Sequence, residues 1–293
     1  MTSTRATRGY ALVSVLWLVA LLTAVTAAYH AQARAEAQLL ASTVRRAQAE
    51  ALAEAAIWIA LRDHFVARAT GSASVGRVTR DVAIDDTNVA VTIADESGKI
   101  NLNAAQPELL TSALAARSTL DAAACTAIVD AILDWRDIDS TRRPSGAEDA
   151  DYASRKVGHG AKDAPFATTD ELLLVLGVTP AVYRQVAPLL TVFGNSTRVN
   201  VDAAPPEVLR ALPTADGGPA GARLAADRFD QRFVQTTGED IYTATGTARV
   251  GTVTANVAAT VRYARGDKRP VQVLAWSTAP SVSAAEEDAQ HAP

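Results

Sequence analysis

The chain has 293 residues, 48% of them hydrophobic, and a formal net charge of −4. This length supports one or two compact bodies with real cores, the composition excludes a disordered chain, and the acidic balance argues against a general nucleic-acid binder, which carries a basic stripe. The single cysteine, Cys125, excludes an intramolecular disulfide and a cysteine-only zinc cluster; among alanines and isoleucine in a helical run it reads as a small buried hydrophobe.

No Asp, Glu, Lys or Arg lies between Arg8 and Arg34. An uncharged run of that length can cross a hydrocarbon core of about 30 Å, which needs roughly 20 helical residues. Arg5 and Arg8 on its N-terminal flank put that end in the cytoplasm. A cleavable secretory signal would stop at small residues such as Ala24 to Ala28. Yet neither glycine nor proline occurs from Tyr10 to Thr70, so nothing breaks the helix there. Leu40, Val44, Ala47, Ala51, Ala55, Trp58, Leu61 and Phe65 follow at steps of three and four, with charged residues elsewhere. The spacing predicts one helix from Tyr10 to Phe65, about 80 Å long. The plainer alternative is an anchor followed by a separate helix.

Residues 71–76 form a Gly/Ser/Ala break, and 77–95 read as a two-stranded hairpin turning at Asp85–Asn88. A pair alone is marginal, so more strands are expected. They come at Ile241–Thr247, Arg249–Tyr263 and Val271–Trp276, with Gly246, Gly251 and 265–267 as turn points and Tyr242, Val253, Val257, Val261, Val273 and Trp276 facing a core. Between the two strand sets lies helical sequence. Ile100-Asn101-Leu102-Asn103-Ala104-Ala105-Gln106-Pro107-Glu108 recurs as Val199-Asn200-Val201-Asp202-Ala203-Ala204-Pro205-Pro206-Glu207. Asn103 and Asp202 are expected to cap helices that open at Pro107 and Pro206, while Asn101 and Asn200 hold the entering loops. Glu108–Ala116, Ala122–Arg136 and Pro206–Leu212 read as helices. Phe166–Tyr183 reads as a helix–hairpin–helix unit, capped by Thr168 or Thr169, ending at Gly177 and reopening at Thr179-Pro180. Such units often bind DNA phosphates, but glycine is sparse and the basic residues are interleaved with acids, so packing is the default here. Residues 216–221 are an exposed loop and 278–293 a disordered tail.

Asp137 and Asp139 alternate after the third helix, and Glu148, Asp149 and Asp151 follow. Hard oxygen donors without His or Cys suit calcium. A solvated loop neutralised by Arg142 and Arg143 explains the same residues. Four scattered histidines, His30, His64, His159 and His291, leave no catalytic constellation, and the chain is expected not to be an enzyme.

A basic leader ending in glycine, Tyr10 after it, and a membrane helix running into a soluble body resemble the type IV pilin and type II secretion pseudopilin class. The resemblance implies that prepilin peptidase cuts between Gly9 and Tyr10 and methylates the new N-terminus, removing Arg5 and Arg8 and taking the charge from −4 to −6. Most of that class has a glutamate fifth after the cut; this chain has Ser14. A carboxylate in lipid costs about 2.5–3.5 kcal/mol on insertion scales, and a subunit without one suits the uppermost position, where no neighbour lies above. That departure is typical of the general secretion pathway protein K minor pseudopilins. Asp134-Trp135-Arg136-Asp137, Asp139, Gly146-Ala147-Glu148, Tyr152, the paired Asn segments and Leu274-Ala275-Trp276 also look like that family, over residues 9 to 277. One departure is Asp163 before Ala164-Pro165-Phe166, where the family tends to have asparagine.

The resemblance implies an α+β pseudopilin fold: a long N-terminal transmembrane helix packed on an antiparallel sheet, with a large inserted α-helical domain holding the helix–hairpin–helix-like units. The boundaries expected are 1–9 leader, 10–70 helix, 71–97 and 230–277 sheet, 98–229 insertion and 278–293 tail. It puts forward calcium on Asp137, Asp139, Glu148 and Asp151, and partner contacts at Ser14, Leu40, Val44, Trp58, Leu61 and Phe65. Expected partners are minor pseudopilins I and J, then H and the major pseudopilin, with prepilin peptidase, the inner membrane and no nucleic acid. The implied role is to initiate and cap a periplasmic pseudopilus from the inner membrane. The alternatives are a minor pilin of a type IV pilus and a periplasmic DNA-binding protein of DNA uptake.

Overall fold

The computed structural model describes residues 8–214, 229–264, 266–267 and 270–279. The expected leader before Arg8, the loop at 216–221 and nearly all of the tail lie outside them. Helix α1 runs unbroken over Arg8–Ala69, about 90 Å at 1.5 Å per residue. Its N-terminal part is exposed and apolar. This is the one helix among the described residues long and apolar enough to cross a membrane.

From Ala49 onward α1 lies on a sheet of β1 (Val78–Ile84), β2 (Thr87–Asp95), β7 (Ile241–Val250), β8 (Val253–Tyr263) and β9 (Val271–Ala279). The five strands stand in the order β1-β2-β7-β8-β9, every neighbour antiparallel. The expected strands at either end of the chain thus do meet in one sheet. Ala53, Ala56, Ile57, Ala60, Leu61 and Phe65 are buried against Val89, Val91, Ile93, Tyr242, Val257 and Val261. The alanines let the helix sit close. Gly246 shows how close: a Cβ there would stand 2.8 Å from the Ala53 carbonyl oxygen. Gly246 is therefore not a turn point. It sits mid-strand between Val91 and Val257, where only a missing side chain admits the helix backbone.

Three residues expected in the core are not there: Val253, at the start of β8, is only half-buried, and the other two lie on β9. Val273 and Trp276 are 46% and 39% exposed, because β9 is an edge strand and α1 covers the middle of the sheet. Trp276 instead stacks on Trp58, with ring centroids 6.2 Å apart.

The chain between β2 and β7 carries a second hydrophobic cluster, from Ile100 to Val234. It contains α2 (Pro107–Arg117), α3 (Ala122–Arg136), α4 (Asp149–Ser154), a 3-10 turn over Thr169–Leu174, α5 (Pro180–Val186) and α6 (Pro206–Ala211). Two short parallel pairs support it. They are β3 (Ile100–Asn101) with β4 (Leu190–Thr191), and β5 (Val199–Asn200) with β6 (Val234–Gln235). The repeated segments supply β3 and β5. Asn101 and Asn200 hold their loops as expected, each Oδ1 accepting from the backbone N–H two residues on.

The caps differ from expectation. Gln106 and Pro205 occupy the cap positions, without side-chain bonds. Asn103 spans instead to Phe166: its Nδ2 donates to the Phe166 carbonyl at 2.9 Å, and its Oδ1 accepts from the Phe166 N–H at 2.7 Å. The first limb of the helix–hairpin–helix unit is a 3-10 turn without a threonine side-chain cap, whereas Thr179 does cap α5 through the Val182 N–H.

The second body attaches at one end of the sheet. Asp95 pairs across from Tyr242, and Arg68 near the C-terminus of α1 forms an ion pair with Asp240. At the opposite end of β7, Gly251 lies beside Arg45. The body therefore sits at the end of α1 farthest from the apolar segment. Asp95 accepts from the Ser97 N–H and hydroxyl, and Asn200 Nδ2 donates to Ser97 Oγ, tying the crossing to the second repeat.

Candidate functional site

Two features carry the expected functional residues: the outer face of α1, and the acidic loop after α3. On α1, Gly9 and Tyr10 fall in the first turn and Ser14 in the exposed apolar segment. Leu40 and Val44 are exposed, and Trp58 is 37% exposed. Leu61 and Phe65, expected on the same face, are 1% and 6% exposed. The steps from Ala55 to Trp58 and from Trp58 to Leu61 are both of three residues. Each such step falls about 60° short of a full turn, so the line rolls off the outer face and into the protein's own sheet. Beside it, Trp58, Leu61, Phe65, Val66, Tyr263 and Val271 line a groove of about 330 Å³.

The acidic loop is built from the end of α3. Asp121 caps that helix at the Ala124 N–H, and its apolar face is buried through Ile128, Ile132 and Trp135. The four residues that close it point four ways. Asp134 is fully buried and takes the Arg143 guanidinium at 2.6 Å and the Arg143 N–H at 3.2 Å. Trp135 packs on Tyr152, His159 and Phe166. Arg136 donates to the Leu102 and Ala105 carbonyls of the first repeat. Asp137 shares Arg143 with Asp134, at 2.5 Å through its Oδ2. A basic residue thus holds one oxygen of each aspartate.

The expected ligands separate on this scaffold. Asp151 is engaged elsewhere: its Oδ2 accepts from the Glu148 N–H at 3.0 Å, starting α4, and pairs with Arg142. Asp139 is exposed, and hydrogen bonds from Thr141 hold its carboxyl below the ordinary carboxylate range. Glu148 is only 7% exposed and its Oε1 has no partner. Burial, and then the charges of Asp134, Asp163, Asp137 and Asp139, push its carboxyl up to about 7. Asp137 Oδ1 and Asp163 Oδ1 are also buried and unpartnered. Among the described residues, no three of His, Cys, Asp or Glu are already gathered around an ion-sized space. The three buried carboxylate oxygens without a protein partner, on Asp137, Glu148 and Asp163, are of the hard-donor type that calcium takes.

Asp134, Arg143 and Asp163 were not among the expected site residues. Asp134 lay inside the quoted motif and Asp163 was marked only as a departure; no spacing ties either to Glu148.

A pH test follows. The folded chain keeps the Glu148 proton up to about pH 7, while the unfolded chain loses it near pH 4.5. Stability from this group is therefore full below about pH 4.5 and lost as pH rises to about 7. With chelator present, the denaturation midpoint of wild type relative to Glu148→Gln should fall across that window. A flat difference rejects the shift.

Residues 88–195 match a family model described as type II secretion system (T2SS), protein K. No curated protein matches the chain in sequence. Among solved structures, the chain is similar to one in the crystal structure of the GspK-GspI-GspJ complex from the enterotoxigenic Escherichia coli type 2 secretion system. The TM-score is 0.59 and the identity 20%, over 85% of this chain and 100% of that one. At that identity the likeness shows the fold: a long apolar helix packed on an antiparallel sheet.

Proposed function

We propose that this chain, of which residues 88–195 match the type II secretion system protein K model, is a member of that family and the minor pseudopilin at the tip of the secretion pseudopilus. In this reading it initiates and caps assembly for protein export across the outer membrane. The family is one of structural pseudopilins, and the single N-terminal apolar helix fits a one-pass anchor. The anchor would lie in the inner membrane and the body in the periplasm, after cleavage between Gly9 and Tyr10.

One observation carries the tip position: the second body joins the sheet beside Arg68 and Asp240, at the end of α1 remote from the membrane segment. Bulk there would block a further subunit stacking above while leaving the outer face of α1 open to partner helices below. Ser14, in place of an acid, agrees with a subunit that has nothing above it. The partners in this reading are minor pseudopilins I and J, since the similar structure is of a complex of GspK with GspI and GspJ.

The test is co-expression of the full-length chain with the I and J minor pseudopilins, native mass measurement, and gold labelling of the chain on isolated pseudopili. A three-component complex and label confined to one end are expected. Label along the length overturns the tip position; no complex overturns the partners.

The acidic loop would hold a calcium ion through Asp137 and Glu148, whose free oxygens are buried. The ion would supply charge neutralisation and a cross-link between the end of α3 and the start of α4, with no catalytic role. The chain's own residues already hold the frame, Arg143 on the Asp134 side and the Glu148–Asp151 bond at α4.

A further inference from the structure

We propose that the free edge of β9 is covered in the assembly by an extended segment of the subunit docked on the outer face of α1. That segment adds a sixth strand to the sheet and seats an apolar side chain in the groove beside Trp58. The inference rests on the partner reading above and adds to it a backbone contact on the sheet.

The two edges of the sheet are guarded differently. Unpaired N–H and C=O groups at an edge invite another strand, and proteins block this with charges, proline or bulges. β1, at one edge, carries Arg80 and Asp81 within seven residues. β9, at the other, has neither a charged residue nor a proline in nine. Its one irregularity is a bulge at Leu274, since Val273 pairs with Val261 and Ala275 with Thr260. Beyond the bulge, residues 275–279 pair regularly with β8 on one side and with no described strand on the other. That length is enough for a short added strand.

The side chains agree. Val273 lies opposite Val261 and Trp276 opposite Ala259, two residues of the core beneath α1. Val273 and Trp276 thus stand on the same face of the sheet as α1, yet both stay partly exposed. Trp58 stacks on Trp276, which makes the apolar surface continuous from the outer face of α1 to the edge of the sheet. A subunit whose helix lies on Leu40 and Val44 therefore brings its body within reach of β9. The groove lined by Trp58, Phe65, Tyr263 and Val271 opens at the start of that strand, and its volume of about 330 Å³ suits a bulky apolar side chain. The segment recognised is thus extended and apolar at alternate positions. A second copy of the chain fits less well. Antiparallel pairing of β9 with itself would reverse one chain against the other. The two apolar ends of α1 would then point in opposite directions, which two anchors in one membrane do not allow.

The measurement is amide hydrogen exchange over β9 in the full-length chain in detergent, alone and co-expressed with the I and J minor pseudopilins. In an antiparallel ladder the N–H groups of successive residues alternate between the neighbour and the open side. The open-side amides of 275–279 should exchange freely in the chain alone and slow by about tenfold or more in the complex. A docked helix would cover Trp276 but leave those amides unbonded, so a complex with unchanged exchange there overturns the inference and leaves the partner reading standing. If no complex forms, the partner reading fails and this inference with it. Open-side amides already protected in the chain alone also overturn it, and a dimer mass would then name a second copy as the occupant. Ser277→Pro and Thr278→Pro give a second reading, because one of two adjacent residues turns its N–H outward, where an edge strand tolerates proline. The variant that keeps the wild-type melting profile should bind the I and J subunits on the order of tenfold more weakly; unchanged binding overturns the inference. If both variants unfold, the exchange measurement decides alone.

Discussion

Replacing Gly98 with alanine is expected to destabilise the chain by about 3 kcal/mol, near the upper end of the usual overpacking cost. A Cβ at Gly98 would stand 2.5 Å from both the carbonyl carbon and oxygen of Ala203, and 2.8 Å from the Ala204 nitrogen. All three are backbone atoms, so no side chain can rotate away. The crossing from β2 would have to lift off the second repeat, carrying Ser97 with it and stretching its bond from Asn200. Chemical denaturation of the purified chain reads the effect; a midpoint within error of wild type would mean that the two segments do not pack as described.

Leu61→Glu and Leu40→Glu should separate folding from assembly. Both positions belong to the apolar line of α1, but Leu61 is 1% exposed beneath the sheet and Leu40 is 69% exposed. A glutamate at Leu61 loses a buried leucine and buries a charge with no partner, costing about 4–5 kcal/mol or forcing the helix off the sheet. At Leu40 the stability change should stay within about 0.5 kcal/mol. If partner helices dock on the outer face, Leu40→Glu should abolish co-purification with the I and J subunits while the melting profile is preserved. Retained co-purification removes that face from the interface. Trp58→Glu is less clean, since Trp58 also stacks on Trp276, a contact of about 1 kcal/mol.

What was legible in the sequence was whatever depended on local pattern. α1 follows from a long stretch without glycine or proline, and α3 runs over the expected Ala122–Arg136 because Asp121 caps it and its apolar residues recur at helical steps. The strands were readable from alternation, but alternation names a face without saying whether anything covers it. That is why Val273 and Trp276 were expected inside, yet lie on an edge strand partly open to solvent. Asn103 shows a second limit. A cap and a long-range clamp use the same side chain, and only the fold brings Phe166 within reach. In the acidic loop, Asp137 and Glu148 were legible as acid density. The diversion of Asp151 to Arg142 and to the start of α4, and the arrival of Asp163, depend on how α3, α4 and the Phe166 segment pack.

The pairing of Asp95 with Tyr242 also sets a constraint on how the chain acquires its structure. Joining β2 to β7 closes a loop of roughly 145 residues, and for a flexible chain the length-dependent part of that closure costs on the order of 4 kcal/mol before any ladder bond forms. If the enclosed body folds first, its entering and leaving strands are already held near each other, the Asp95–Ser97–Asn200 link among the ties, and the entropy has been spent once. The sheet that seats α1 is then the last part to close, so the subunit offers its finished helix surface to partners only after its remote end is complete.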